Sequence, residues 1–191
     1  MKKIILSLGI LIIIFASNAY SDGLSYQDKT FTALVANVRL LAELTAQGKK
    51  YSDKVSVTVP SVIFDKPIVI DDVRTVNKSY GPEIDILIKF LKANMEGTKE
   101  EVISFWHPSD KQEITQMVSD PQMFEENRVY FTQNPGVTII GLIKQKSTRS
   151  ILVNKDFMVF GINLKQSEGK LYFTNTPDND LELAIVEASF M

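Results

Sequence analysis

Apolar and polar positions along this chain change period several times, and each change predicts a change of element. An uncharged apolar run, Ile4 to Ala16, comes first. Residues 31, 34, 35, 38, 41 and 42 are then apolar at helical spacing with Gly48 as a stop, which predicts a helix over 31–45. The Val, Thr and Asn content there leaves a strand as the alternative. Through residues 55–76, VSVTVPSVIFDKPIVIDDVRTV, β-branched residues dominate, and Val55, Val57 and Val59 alternate with polar neighbours. Pro60 and Pro67 supply no ladder N–H, so edge strands or an extended arm are expected.

From Gly81 to Thr132 the period is helical. Pro82 suits a first helical turn, and Ile84, Leu87, Ile88, Leu91 and Met95 form one stripe that ends at Gly97. Thr98 with Glu101 reads as a capping box for a short helix through Val102, Phe105 and Trp106, which Pro108 ends. Ser109 with Gln112 repeats the signature ahead of Ile114, Met117 and Val118. Asp120-Pro121 opens a further helix with Met123, Phe124, Val129, Tyr130 and Phe131 as its expected buried side.

After Asn134-Pro135-Gly136 the pattern is β to the end. Strands are predicted at 137–145, 150–164, 170–175 and 181–190, separated by turn material such as Lys165 to Gly169 and Pro177 to Asp180. Short connections favour an antiparallel meander, and its apolar faces require cover from the helices before it. The expected fold is α+β: short helices on a curved antiparallel meander sheet, with an N-terminal helix and an extended or edge-strand region. Residues 1–19 are read as a signal peptide, 20–80 as a helix plus β-rich extension, and 81–191 as an α+β domain. A single core is expected.

The start of the chain changes where this fold is expected to work. Lys2 and Lys3, the run from Ile4 to Ala16 and the small polar Ser17-Asn18-Ala19 make the three-part pattern of a secretory signal peptide. The run is shorter than the ~20 apolar residues of a membrane-crossing helix, so cleavage after Ala19 or Ser21 is expected. The expected location is the periplasm of a bacterium, with secretion or an inner-membrane anchor as alternatives. No stable transmembrane span is expected after cleavage. Loss of Lys2 and Lys3 takes the formal charge from −2 to −4. With no basic run longer than Lys49-Lys50, a nucleic-acid role is not expected. The chain has no cysteine, which excludes disulfides, thiolate metal sites and a cysteine nucleophile.

Candidate chemistry is sparse. FWHPSD, residues 105–110, sets the one Trp, Trp106, beside the one His, His107, with Ser109 and Asp110 behind. Neighbours this close, split by Pro108, are badly placed for the nucleophile–base–orienter order of a triad, and helix punctuation explains them better. His107 and Asp156 stay as candidate general bases. Asp178, Asp180 and Glu182 open like a calcium loop, but Leu183 stands where glycine is needed and Ser189 where the closing Glu belongs. A polar turn is the better reading there, and Asp71-Asp72 reads as a solvated pair. No metal site or cofactor is expected. Gly141 and Gly161, isolated within strands, suggest bends. Phe157, Phe160, Tyr172 and Phe173, with Trp106, are candidates to line an apolar pocket, and core packing accounts for them equally well.

The unit IKFLKANMEGTKEEVISFW (88–106), followed by helical sequence and long antiparallel strands, resembles the nuclear-transport-factor-2-like (cystatin-like cone) superfamily over residues 81–190. The positions that carry the resemblance are Ala93, Gly97 and Thr98, with Glu100 and Glu101 after them. It implies a curved sheet folded over helices, often with an apolar pocket. Enzymes of that superfamily place an Asp base and a Tyr or His there; no position here matches them, and nothing catalytic is carried over. Two function classes follow. One is an exported non-enzymatic protein that binds a small apolar ligand, or docks onto an envelope protein through an edge formed by Val55, Val57, Val59, Val62, Ile68 and Ile70. The other is a ketosteroid-isomerase-like pocket enzyme using His107 or a buried Asp.

Overall fold

The computed structural model describes residues 25–38, 53–155 and 157–191. The expected signal peptide, residues 39–45 of the expected first helix, and Asp156 lie outside them. Six antiparallel strands form one sheet in strict chain order: β1 (Gln27–Leu34), β2 (Lys54–Ile70), β3 (Val137–Lys144), β4 (Thr148–Lys155), β5 (Met158–Ser167) and β6 (Lys170–Phe173). The α+β class and the meander are as expected.

The N-terminal helix is corrected over its described part, where Phe31 to Leu34 belong to β1 and a single 3-10 turn follows at Val35–Asn37. The apolar spacing fits either period, and the partner decides it. Phe31 and Ala33 fall opposite Val57 and Val55 and bury one face, while Thr30 and Thr32 bond Thr58 and Ser56 on the exposed face. Strand β2 is therefore not an arm at the sheet's edge. Its residues 54–61 pair with β1, and its residues 61–63 and 68–70 pair with β3. Pro67 falls in the unpaired stretch between Ile63 and Ile68, where a missing N–H costs the ladder nothing.

Four helices connect β2 to β3: α1 (Pro82–Glu96), α2 (Lys99–Ser104), α3 (Lys111–Ser119) and α4 (Pro121–Gln133). Gly81, at φ 104°, makes the entry to α1, and Pro82 takes its first turn. Thr98 caps α2 by accepting from the Glu101 N–H at 3.2 Å. Ile84, Leu87, Ile88 and Met95 pack against Ile139, Leu142, Ile151, Val153, Leu164 and Phe173 on one face of the sheet. The expected buried side of α4 is not observed. Phe124 and Phe131 are half-buried, while Met123, Val129 and Tyr130 are exposed, because α4 leans on α1 and α3 and stands off the sheet.

The strand expected at 181–190 is instead helix α5 (Asp180–Ala188). The Asn179 side chain accepts from the Glu182 N–H at 3.2 Å, which makes an N-cap. Leu183 and Val186 then cover the other face of the sheet, against Phe31, Val59, Ile140, Ile143, Leu152 and Val159. The single strand expected at 150–164 is a hairpin. Lys155 pairs with Met158, and Phe157 just before Met158 is in the left-handed region at φ 68°.

A bulge in β3 makes both faces work. Ile139 pairs with Val153 and Gly141 with Leu152, which leaves Ile140 unopposed. The pleat shifts by one residue there, so Leu142 joins Ile139 toward α1 while Ile140 and Ile143 face α5. The bend expected at Gly141 is at this bulge.

Candidate functional site

The FWHPSD stretch runs from the end of α2 along strand β6. The Phe173 N–H donates to the Phe105 carbonyl at 2.9 Å, and the His107 N–H to the Phe173 carbonyl at 2.8 Å. His107 Nδ1 is hydrogen-bonded to Ser109 Oγ at 2.7 Å, and Ser109 Oγ donates to Asp110 Oδ2 at 3.0 Å. The hydroxyl stands between imidazole and carboxylate, so the chain of bonds does not run nucleophile, base, orienter. Asp110 is buried and also accepts from Thr174 Oγ1 at 3.0 Å, which ties the start of α3 to the end of β6. Ser109 was the expected cap of that helix; the N-cap is Asp110, whose side chain makes no capping bond.

The aromatic candidates do not gather in one place. Phe173 is core, with its ring 4.5 Å from that of Phe90. Trp106 is half-buried and meets the Phe90 ring edge-on at 5.9 Å. Tyr172 stands edge-on to His107 at 6.2 Å. Phe157 is 99% exposed at its hairpin tip, Trp106 lines a small pocket of about 130 Å³ among the helices, and Phe160 lines a larger cleft. Of the candidate edge residues, Val55, Val57 and Val59 are paired with β1, and Val62, Ile68 and Ile70 with β3.

That cleft lies between the C-terminal half of α1, the end of α4 and the ends of β2 to β5, and has a volume of about 530 Å³. Pockets for small molecules run roughly 300–1,000 Å³ and are mostly apolar with a few placed polar groups. Leu87, Phe90 and Leu91 line it from α1, Tyr130 and Phe131 from α4, and Val137, Val153 and Ile162 from the sheet. It exists because α4 stands off the sheet. Its mouth has exposed apolar surface as well, since Phe160 is 40% exposed.

A few polar groups stand around this mouth. Lys155 Nζ donates to Tyr130 Oη and sits 4.0 Å from the centroid of the same ring. Asn134, Asn154, Thr138 and Asp71 complete the polar lining. His107 is not part of it. A second cleft of about 600 Å³, beside Tyr26, Pro60 and Gln145, is lined largely by polar and charged groups, among them Asp28, Lys144, Asp178 and Glu182.

The acidic stretch before α5 has structural partners. Asp178 accepts from Ser147 N, Ser147 Oγ and Thr148 N. Desolvation raises its pKa, but those hydrogen bonds outweigh it and hold the carboxyl below its ordinary value. Glu182 accepts from Gln145 Nε2 at 3.1 Å. Asp72 accepts from the Arg74 guanidinium, which lowers its pKa. Among the described residues no three His, Asp or Glu side chains are placed to hold a metal ion, and no helix is long and apolar enough to cross a membrane.

The cleft was the feature the sequence hid. Its lining comes from six elements, and the one available signal was the weak apolar moment of 121–133, a helix too polar to lie flat on a sheet. No family model, curated protein or solved structure matches the chain.

Proposed function

We propose that this is an exported, non-enzymatic binding protein that takes a small apolar ligand into the cleft between α1, α4 and the sheet. The observation that carries the reading is the cleft itself: about 530 Å³, apolar within, with exposed Phe160 and a few polar groups at its mouth. Apolar surface left uncovered at a concave site is stabilised when a ligand removes it from water. The pattern of residues 1–19 supports export. Helices over an antiparallel sheet with an apolar cleft is also the arrangement implied by the resemblance to the nuclear-transport-factor-2-like superfamily, which stays part of this proposal.

The pocket-enzyme alternative has less support, since His107 lies at the α2–β6 junction and is bonded into the turn before α3. Docking on an envelope protein through residues 55–76 has less support as well, because β1 and β3 occupy ladder positions along β2. Native mass spectrometry of the protein isolated gently from its host's periplasm tests the proposal. The expected result is a mature chain beginning after Ala19 or Ser21 that carries small-molecule mass lost on denaturation. A bare chain that also takes up no amphiphile in titration would overturn the binding reading, and an uncleaved chain would overturn the export reading.

A further inference from the structure

The charged group at the cleft's mouth narrows the class of ligand. We propose that the ligand is an anionic amphiphile, a single-chain carboxylate whose alkyl tail enters between α1, α4 and the sheet while its head meets Lys155. The inference rests on the cleft being the binding site.

Lys155 closes β4 and pairs with Met158, and Val153 pairs with Phe160 two residues along. Directly opposed residues share a face, so Lys155, Met158, Val153 and Phe160 all stand on the α1 side of the sheet, where Val153 is core. An ammonium has three donors, and the Lys155 group gives one to Tyr130 Oη at the hydroxyl end of that ring. Among the described residues it forms no ion pair with a carboxylate. A cation so placed at an apolar mouth is matched by an anionic head.

Met158 is 58% exposed and, with Phe160 at 40%, leaves apolar surface on the same face as the charge. A neutral apolar molecule would leave the Lys155 donors to water; a chain with a carboxylate head uses both the donors and the interior. Asp71 lies at the end of β2, across β3 from β4, and repels an anionic head on that side. The two charges therefore set one orientation, head toward Lys155 and away from Asp71.

The test is titration of the whole mature protein with dodecanoate, dodecanol and dodecyltrimethylammonium, followed by the fluorescence of Trp106. That ring touches Phe90, which lines the cleft, so occupancy is expected to move its emission. Dodecanoate is expected to bind about tenfold more tightly than dodecanol, a ~1.4 kcal/mol preference typical of one charge-assisted hydrogen bond. Shortening it to decanoate is expected to weaken binding about fifteenfold, from ~0.8 kcal/mol for each of two buried methylenes. Lys155→Gln is expected to bring dodecanoate down to the affinity of dodecanol, whereas Lys170→Gln, at the β5–β6 turn, is expected to change neither. Equal binding of all three amphiphiles, or a preference for the ammonium, would overturn the anionic assignment and leave the apolar cleft standing. Failure of every amphiphile, confirmed by calorimetry, would overturn the cleft reading itself.

Discussion

Arg149 of β4 reaches across the sheet's inner face and its Nη1 donates to the Glu83 carboxylate in the first turn of α1. Glu83 is only 4% exposed, so this pair is the one electrostatic tie between the helical layer and the sheet among the described ion pairs. Removing one partner strands the other. Arg149→Met is expected to cost about 2–4 kcal/mol, below the full range for a buried pair because the arginine keeps some contact with water. Glu83→Leu in the same chain is expected to recover most of that loss, since apolar replacement of both partners is often neutral. Urea unfolding of the two single variants and the double variant measures the coupling. Additive losses would mean that the contact contributes no net stability.

Tyr26 borders this pair and carries a hydroxyl that is buried with no hydrogen-bond partner among the described residues. Burial, and then the Glu83 charge, push its pKa from the ordinary 10.0 up to about 12, with Arg149 acting in the opposite sense. The phenol then ionises later in the folded than in the unfolded protein. Its contribution to stability is complete below pH ~10 and is lost as pH rises through about 12. Tyr26→Phe is expected to leave stability at pH 7 unchanged or slightly raised, because an unpaired polar atom is removed from the interior. It is also expected to flatten the stability curve between pH 10 and 12. Thermal melts of both proteins across that window check it, and an equal alkaline decline in the two would assign the decline to another group.

Gly141 and Gly161 both sit in strands, yet their surroundings forecast different losses. A Cβ on Gly141 would stand 2.5 Å from the Val62 carbonyl oxygen, and that backbone cannot move without disturbing the β2–β3 ladder at the bulge. A Cβ on Gly161 would stand 2.6 Å from Leu183 Cδ1, the tip of a side chain that can change rotamer. Gly141→Ala is expected to cost about 1–3 kcal/mol or more, and Gly161→Ala less than about 1 kcal/mol. Denaturant midpoints at unchanged slope decide it. A larger loss at Gly161 would show that α5 is held more rigidly on the sheet than Leu183 alone requires.

Period and punctuation made much of this fold legible. The stripe of α1, the Thr98 cap, Asp120-Pro121 and the antiparallel meander all follow from local chemistry that the tertiary structure left intact. Phe31 to Val38 and Leu181 to Phe190 were misread because their apolar spacing suits two periods. Residue 31 found Val57 across a ladder, and residue 183 found the sheet's outer face. Asn179 with Glu182 was the signal available for α5, a cap and its N3 acid inside a stretch read only as a polar turn. The candidate site was less legible. Tyr130 and Lys155 are 25 residues apart and meet only because α4 stands off β4 and β5.

Leu91 offers the most direct check that this stand-off has a purpose. It lies on the α1 stripe, is half-buried, packs against the core that holds Leu87 and Ile88, and also lines the cleft. A larger side chain there fills existing space. Overpacking a closed core costs about 1–3 kcal/mol, but an open cleft removes most of that strain. Leu91→Trp is therefore expected to leave the thermal midpoint within a few degrees of the parent and to weaken amphiphile binding about tenfold or more by calorimetry. Binding at full strength in a folded Leu91→Trp protein would place the ligand elsewhere, and the charged cleft beside Tyr26 and Lys144 would become the site to examine.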